Sequence, residues 1–244
     1  MKQVSPSCWK GYRVKNWQRY KALIPFADWH VHTGYTDGRD SIDGYCRRAL
    51  LNGLKSVAFT EHVRRRLDYD FGEFLSDIER ARKKYPLQIL SGCEAKALDE
   101  SGRLDAPEDA LRRSDIVIGV FHSFPSKDRD AYVRCLCAML ENPLVQVWGH
   151  PLLFSRRQGM ALCEEELARL AGICARNDIL VEINMRYGCS DDDLIRQAQL
   201  AAAPLIVSSD AHSPEELLDR RRLADEWRRL SMLGPELVYR CEER

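Results

Sequence analysis

From Phe26 onward the sequence alternates short, β-branched apolar runs with longer segments at helical spacing, the pattern of repeated β-α units around a parallel sheet. The runs that read as strands are Phe26–His32, Ser56–His62, Leu87–Ala95, Asp115–Ser123, Val145–His150, Leu180–Asn184 and Leu205–Asp210. Between and after them the spacing predicts helices near Ile42–Asn52, Phe71–Tyr85, Pro107–Arg113, Asp130–Glu141, Glu164–Asn177, Asp191–Ala201 and Pro214–Leu233. Two helix starts carry capping signals: Ser190 ahead of three Asp residues, and Ser213-Pro214-Glu215-Glu216, an N-cap followed by proline and two acids. With 244 residues, 45% of them apolar, the chain can bury one substantial α/β core, and no composition break after Phe26 divides it, so residues 28–244 read as one domain.

Residues 1–27 differ. They hold six basic residues (Lys2, Lys10, Arg13, Lys15, Arg19, Lys21), no acid, and the aromatics Trp9, Tyr12, Trp17, Tyr20 and Phe26. The expectation is an arm whose aromatics pack on the exterior of the domain while its charges stay solvated. Over the whole chain 37 Lys and Arg balance 37 Asp and Glu, so no global field draws it to nucleic acid or an anionic membrane, and recognition falls to a local site. No apolar run approaches the ~20 residues of a membrane span and no secretory signal opens the sequence, so the reading is cytoplasmic with no membrane partner; no oligomeric state is read from it. The nine cysteines, an odd number without a Cys-x-x-Cys pair, read as small buried residues in a reducing compartment rather than as a disulfide framework or a zinc ribbon.

The histidines carry the functional signal. All six (His30, His32, His62, His122, His150, His212) fall at or just past the carboxyl end of a predicted strand, and the remaining strand, Leu87–Ala95, brings Glu94 there instead. In a closed parallel sheet those ends open on one face, where barrel enzymes build their sites. His30 and His32, two apart on a strand, project to the same side, and Asp210 and His212 repeat that spacing at the last strand. Asp37, in Tyr35-Thr36-Asp37-Gly38, sits on a turn able to return its carboxylate over the rim. Imidazole and carboxylate without thiolate suit zinc, iron or manganese, and the ligands outnumber what one four- to six-coordinate ion can use.

The motifs Asp28-Trp29-His30-Val31-His32-Thr33, Tyr35-Thr36-Asp37-Gly38, Phe59-Thr60-Glu61-His62, Gly92-Cys93-Glu94, His122-Ser123, Gly149-His150-Pro151, Glu182-Ile183-Asn184 and Ser209-Asp210-Ala211-His212 resemble, in order, those of the PHP (polymerase and histidinol phosphatase) superfamily. Thr60-Glu61-His62 and Ser213-Pro214-Glu215 resemble its histidinol-phosphatase-like branch; many other members have Asp where this chain has Glu61. The resemblance implies a distorted (β/α)7 barrel, TIM-barrel-like, with two or three divalent zinc, manganese or iron ions on its carboxyl-end rim. It would place His30, His32, Glu94 and Asp210 on one ion. Glu94 would bridge to a second held by His122 and His150, and Asp37, His62 and His212 would hold a third. All nine would serve catalysis through a metal-bridging hydroxide.

Arg186 after the sixth strand, and Arg156 and Arg157 after Gly149-His150-Pro151, are expected to bind substrate phosphate, as arginines do in similar relatives; Arg64, Arg65 and Arg66 are further candidates, and Asp28 and Glu182 are expected to orient ligands. The leading reading is a phosphomonoesterase for a small phosphorylated metabolite such as histidinol phosphate. The alternatives are a nucleotide phosphodiesterase or exonuclease, for which the basic arm is the encouragement, and a non-catalytic scaffold, against which the intact ligand set argues.

Overall fold

A computed structural model describes residues 15–187 and 191–234. The expectations for Lys2, Lys10, Arg13, Trp9, Tyr12 and the Ser190 cap, and for Cys8, Cys189 and Cys241, lie outside the described residues. Seven parallel strands pair in sequence order: β1 (Ala27–Val31), β2 (Ser56–Val63), β3 (Gln88–Lys96), β4 (Ile116–Val120), β5 (Val147–Trp148), β6 (Leu180–Asn184) and β7 (Leu205–Ser208). Just past β7, His32 N–H donates to the Ala211 carbonyl (2.9 Å) and Ala211 N–H to that of His30 (3.3 Å), so β1 meets the end of β7 and the sheet curls into a nearly closed barrel. Every residue of β1, β4, β6 and β7 is buried, as expected for a parallel sheet covered on both faces.

The helices are α1 (Ile42–Leu51), α2 (Phe71–Lys84), α3 (Glu108–Arg113), α4 (Arg129–Leu140), α5 (Leu153–Arg157), α6 (Glu164–Arg176), α7 (Asp192–Leu200) and α8 (Arg220–Ser231). Ser41, Asp70, Asp128, Asp191 and Asp219 each accept a first-turn N–H of the helix that follows, which fixes where α1, α2, α4, α7 and α8 begin. Two departures from the sequence reading have tertiary causes. The helix expected over Pro214–Leu233 is split: Pro214–Glu216 is a single 3₁₀ turn, and α8 starts after Asp219. The break follows from burial of Leu217 and Leu218 and from Leu218 N–H donating to Asp28 Oδ2 (3.1 Å), which pulls the chain out of helical geometry. The five-residue α5, too short to show a period, was not expected.

The described part of the arm is a 3₁₀ segment, Asn16–Phe26, lying across the amino ends of the strands, opposite the histidines. Trp17, 3% exposed, belongs to the core; its indole N–H donates to the Asp178 carbonyl (2.7 Å), and its backbone N–H to Gln146 Oε1 (3.2 Å). Lys15 reaches the carbonyls of Pro143 (2.8 Å) and Val145 (2.7 Å) just ahead of β5. The expected exterior packing is thus deeper than stated, at least for Trp17. Cys46, Cys93, Cys135, Cys137 and Cys174 are buried free thiols, while Cys163 is free and exposed.

Candidate metal centre

Parallel register assembles the rim. His62 on β2 is the direct partner of Glu94 on β3, and His30 and His32 at the end of β1 present their Nε2 atoms 3.1 Å apart. The β1–α1 loop folds back so tightly at Gly38 that a Cβ there would lie 2.2 Å from the His32 carbonyl oxygen; only glycine allows the approach that returns Asp37 to the rim. His150 and Asp210 hold positive φ angles (26° and 56°), a conformation that is costly for His150 and tolerated by Asp210.

Glu94, wholly enclosed, is the hub. Its Oε1 faces His150 Nε2 (2.9 Å), His122 Nε2 (3.2 Å) and His30 Nε2 (3.7 Å); its Oε2 touches His62 Nδ1 and faces His32 Nε2 (4.0 Å). On one flank Asp210 Oδ1 lies 3.5 Å from His32 and 3.9 Å from His30. On the other, Asp37 Oδ2 lies 3.3 Å from His62 Nε2 and 3.4 Å from His212 Nε2. Among the described residues three groups could hold an ion: His30, His32 and Asp210; His62, Glu94 and His122; and His32, Asp37, His62 and His212. All nine residues expected as ligands therefore converge. Two details differ from the expected sharing: His32 also falls within the Asp37 group, and His150 reaches the cluster through Glu94.

The electrostatics are those of a cation site. Burial opposes charge on His30, but the carboxylates of Asp210, Glu182 and Glu94 outweigh it and push the imidazole up to about 10. His32, equally buried and beside the rings of His30 and His62, is pushed down to about 4. His62 is raised to about 9 against its burial by Asp37 and Glu94. Glu94 is held well below the carboxylate range: the surrounding imidazoles overcome its desolvation. His62 Nδ1 and Glu94 Oε2 are enclosed and adjacent yet lack hydrogen-bond geometry, and His32 Nδ1 has no partner. Buried lone pairs converging without donors are costly by themselves and suit a divalent ion, so the residues fit the metals that the resemblance implies.

Glu182 organises the layer behind. It accepts from His30 Nδ1 (2.7 Å), the His150 backbone N–H, Ser208 Oγ and Asn184 Nδ2 (3.2 Å). Holding a proton on His30 Nδ1 leaves Nε2 as the free donor atom towards the cluster. Asp28 acts on the backbone around the ligands, that of His30 included. It accepts from the N–H groups of Ser209 (2.9 Å) and Leu218 (3.1 Å), anchoring the β7 loop rather than contacting a ligand side chain. Residues quoted in the sequence motifs but given no role there are Asn184, whose amide donates to Asp210 Oδ2 (3.1 Å), and Thr33, whose N–H (2.9 Å) and hydroxyl (2.6 Å) hold Glu61, the neighbour of His62. Burial raises that Glu61 carboxyl to about 7.

The arginines divide. Arg186 stands at the rim, its Nη1 on Glu216 Oε2 (2.9 Å) and the Asp210 carbonyl (3.3 Å). Arg157 lies 5.3 Å over the Tyr187 ring, which meets His150 edge-on at 5.7 Å. Arg156, the third arginine expected to meet phosphate, bonds Asp191, the α7 cap, through Nη2 (2.9 Å), a partner that its position in α5 brings within reach. Arg64 bonds the Val63 carbonyl, Arg65 faces Asp105, and Arg66 is exposed.

A family model, the PHP domain, matches residues 28–186. A Caldicellulosiruptor bescii protein named "Probable phosphatase" is 32% identical over 126 residues, 50% of this chain and 52% of that protein, so the chain spans about half the length of that relative. The Bacillus subtilis DNA polymerase/3'-5' exonuclease PolX is 26% identical over 205 residues, 80% of this chain and 35% of that protein. Among solved structures, histidinol phosphate phosphatase from Lactococcus lactis, complexed with zinc, L-histidinol and phosphate, shares the fold with a TM-score of 0.67 at 16% identity, covering 87% of this chain and 95% of that one.

Proposed function

Because the chain belongs to the PHP domain family, we propose that it is a metal-dependent phosphomonoesterase acting on a small phosphorylated metabolite. The observation that carries this reading is the Glu94 hub, with imidazoles on both carboxylate oxygens and a donor group on either flank. His30, His32, Asp210 and Glu94 would hold one divalent zinc, manganese or iron ion, Glu94, His122 and His150 a second, and Asp37, His62 and His212 a third. Such ions lower the pKa of water towards neutrality and neutralise charge on phosphoryl oxygens during in-line displacement. The chain's own part is to fix the donors: Glu182 sets the tautomer of His30, Asn184 aims Asp210, and Gly38 closes the turn that carries Asp37. Arg186, its fork held by Glu216 and the Asp210 carbonyl, would meet the phosphate, joined by Arg157 over Tyr187. Arg156, paired with Asp191, would be a third candidate for that role.

Hydrolysis of p-nitrophenyl phosphate with added manganese or zinc, exceeding that of bis-p-nitrophenyl phosphate, is the expected result. The reverse ranking would favour a phosphodiesterase or exonuclease, the second reading, which the match to PolX over 80% of the chain supports. Failure with both esters, and no metal by elemental analysis, would leave a scaffold.

A further inference from the structure

Beside the metal centre a cleft of 450 Å³ is lined by Met185, Arg186, Tyr187, Ser209, Glu216 and Arg222. Three of these residues touch the cluster: Arg186 bonds the Asp210 carbonyl, Tyr187 meets the His150 ring, and Glu216 Oε2 accepts the His212 backbone N–H (2.6 Å). The cleft opens from the same rim, so it offers a leaving group room beside a phosphate held on the centre. The charges in the cleft do not cancel. Glu216, its one carboxylate, is already engaged by Arg186 (2.9 Å) and by the His212 N–H (2.6 Å). Arg222, exposed in the first turn of α8, pairs with no acid among the described residues; the nearby Asp219 carboxylate takes the Arg222 backbone N–H as helix cap.

We propose that this cleft selects leaving groups bearing a second anionic group, a carboxylate or a further phosphate, with Arg222 as the residue that reads it. The proposal rests on the phosphomonoesterase reading and narrows its substrate class. A guanidinium surplus beside a saturated carboxylate rewards an anion, tolerates a neutral polyol and repels an amine. The cleft therefore sets this chain apart from a site for an amino alcohol such as L-histidinol, the group named with the Lactococcus lactis neighbour.

Two esters of one skeleton test it: 3-phosphoglycerate and glycerol 3-phosphate, which differ by a carboxylate in place of a hydroxymethyl group. With the manganese-loaded protein, kcat/KM should favour 3-phosphoglycerate by at least about tenfold, the discrimination of one charge-assisted hydrogen bond. Histidinol phosphate should fall below both. Arg222→Gln should bring the ratio to about one by raising KM for 3-phosphoglycerate, and Arg222→Glu should invert it. Equal rates for the two esters in the wild type, or a preference that survives Arg222→Gln, would overturn the assignment while the phosphatase reading stands. Absence of p-nitrophenyl phosphate hydrolysis in the wild type would overturn both.

Discussion

The two ends of the barrel are built from the same seven strands and opposite chemistry. At the carboxyl ends, imidazoles and carboxylates crowd within a few ångströms, His150 and Asp210 are held at positive φ, and buried nitrogens lack partners. At the amino ends, Trp17 and Lys15 of the arm and Gln146 ahead of β5 bond carbonyls and amides, and the arm covers the core there. One end leaves ring nitrogens of His32 and His62 without local partners so that something else can supply them; at the other, Trp17, Lys15 and Gln146 spend their polar groups on holding the chain together, with the buried Ser56 hydroxyl as an exception. The contrast teaches that stability and function are separated along the strand direction, as expected where catalytic groups sit on strand-end loops and the opposite face serves folding.

The largest effect expected is that of removing metal. Chelation should abolish phosphate ester hydrolysis while the far-ultraviolet circular dichroism of the barrel persists, and manganese should restore activity. Unfolding on chelation would break the comparison, because the rim would then be holding the fold. Next is Trp17→Ala, which removes a buried indole and its hydrogen bond at the opposite end; it should cost about 3–5 kcal/mol in denaturant unfolding while kcat per folded molecule is retained. A small loss of stability, or a fall in kcat for the folded fraction, would mean that the ends are coupled.

A third prediction sharpens the rim itself. Glu182→Gln replaces one acceptor oxygen by an amide donor among His30 Nδ1, Ser208, Asn184 and the His150 N–H. Metal affinity, read by competition with a chelator, should fall about 10- to 100-fold, the usual cost of disturbing the partner of a metal-binding histidine. Unaltered affinity would remove Glu182 from the site.

These layers differ in how far the sequence displays them. The nine converging side chains were legible because strand ends and i, i+2 spacing are local properties, readable at His30-Val31-His32 or Asp210-Ala211-His212. The Asn184–Asp210 bond depends on β6 pairing with β7 so that Asn184 lies opposite Ser208, a register no single segment states. The Arg156–Asp191 pair was hidden for a similar reason: the two residues are 35 positions apart. Ser213-Pro214-Glu215-Glu216 reads as a helix start and forms one turn, because Asp28, 190 residues from Leu218, competes for the backbone N–H that would continue it. Trp17 gave no period to read; only the closed barrel creates the surface it fills.

The smallest effect concerns pH and isolates the amino-terminal end. Burial beneath the barrel pushes the Lys15 ammonium down to about 8 from an ordinary value near 10.5, with Asp178 opposing weakly. Between those two values the unfolded chain keeps this proton and the folded chain has shed it, so folding gains from every rise in pH across that window and gains nothing further above it. Below about 8 the cost of burying the charge is present in full, offset by the carbonyls of Pro143 and Val145. Lys15→Met removes the titration. The buried thiols, raised by burial, titrate in both proteins and cancel in the difference. The melting temperature of the wild type relative to Lys15→Met should therefore climb from pH 8 to pH 10, with or without metal on the far rim. A flat difference would show that Lys15 is solvated in the folded chain, and a dependence on metal would show that the two ends sense each other.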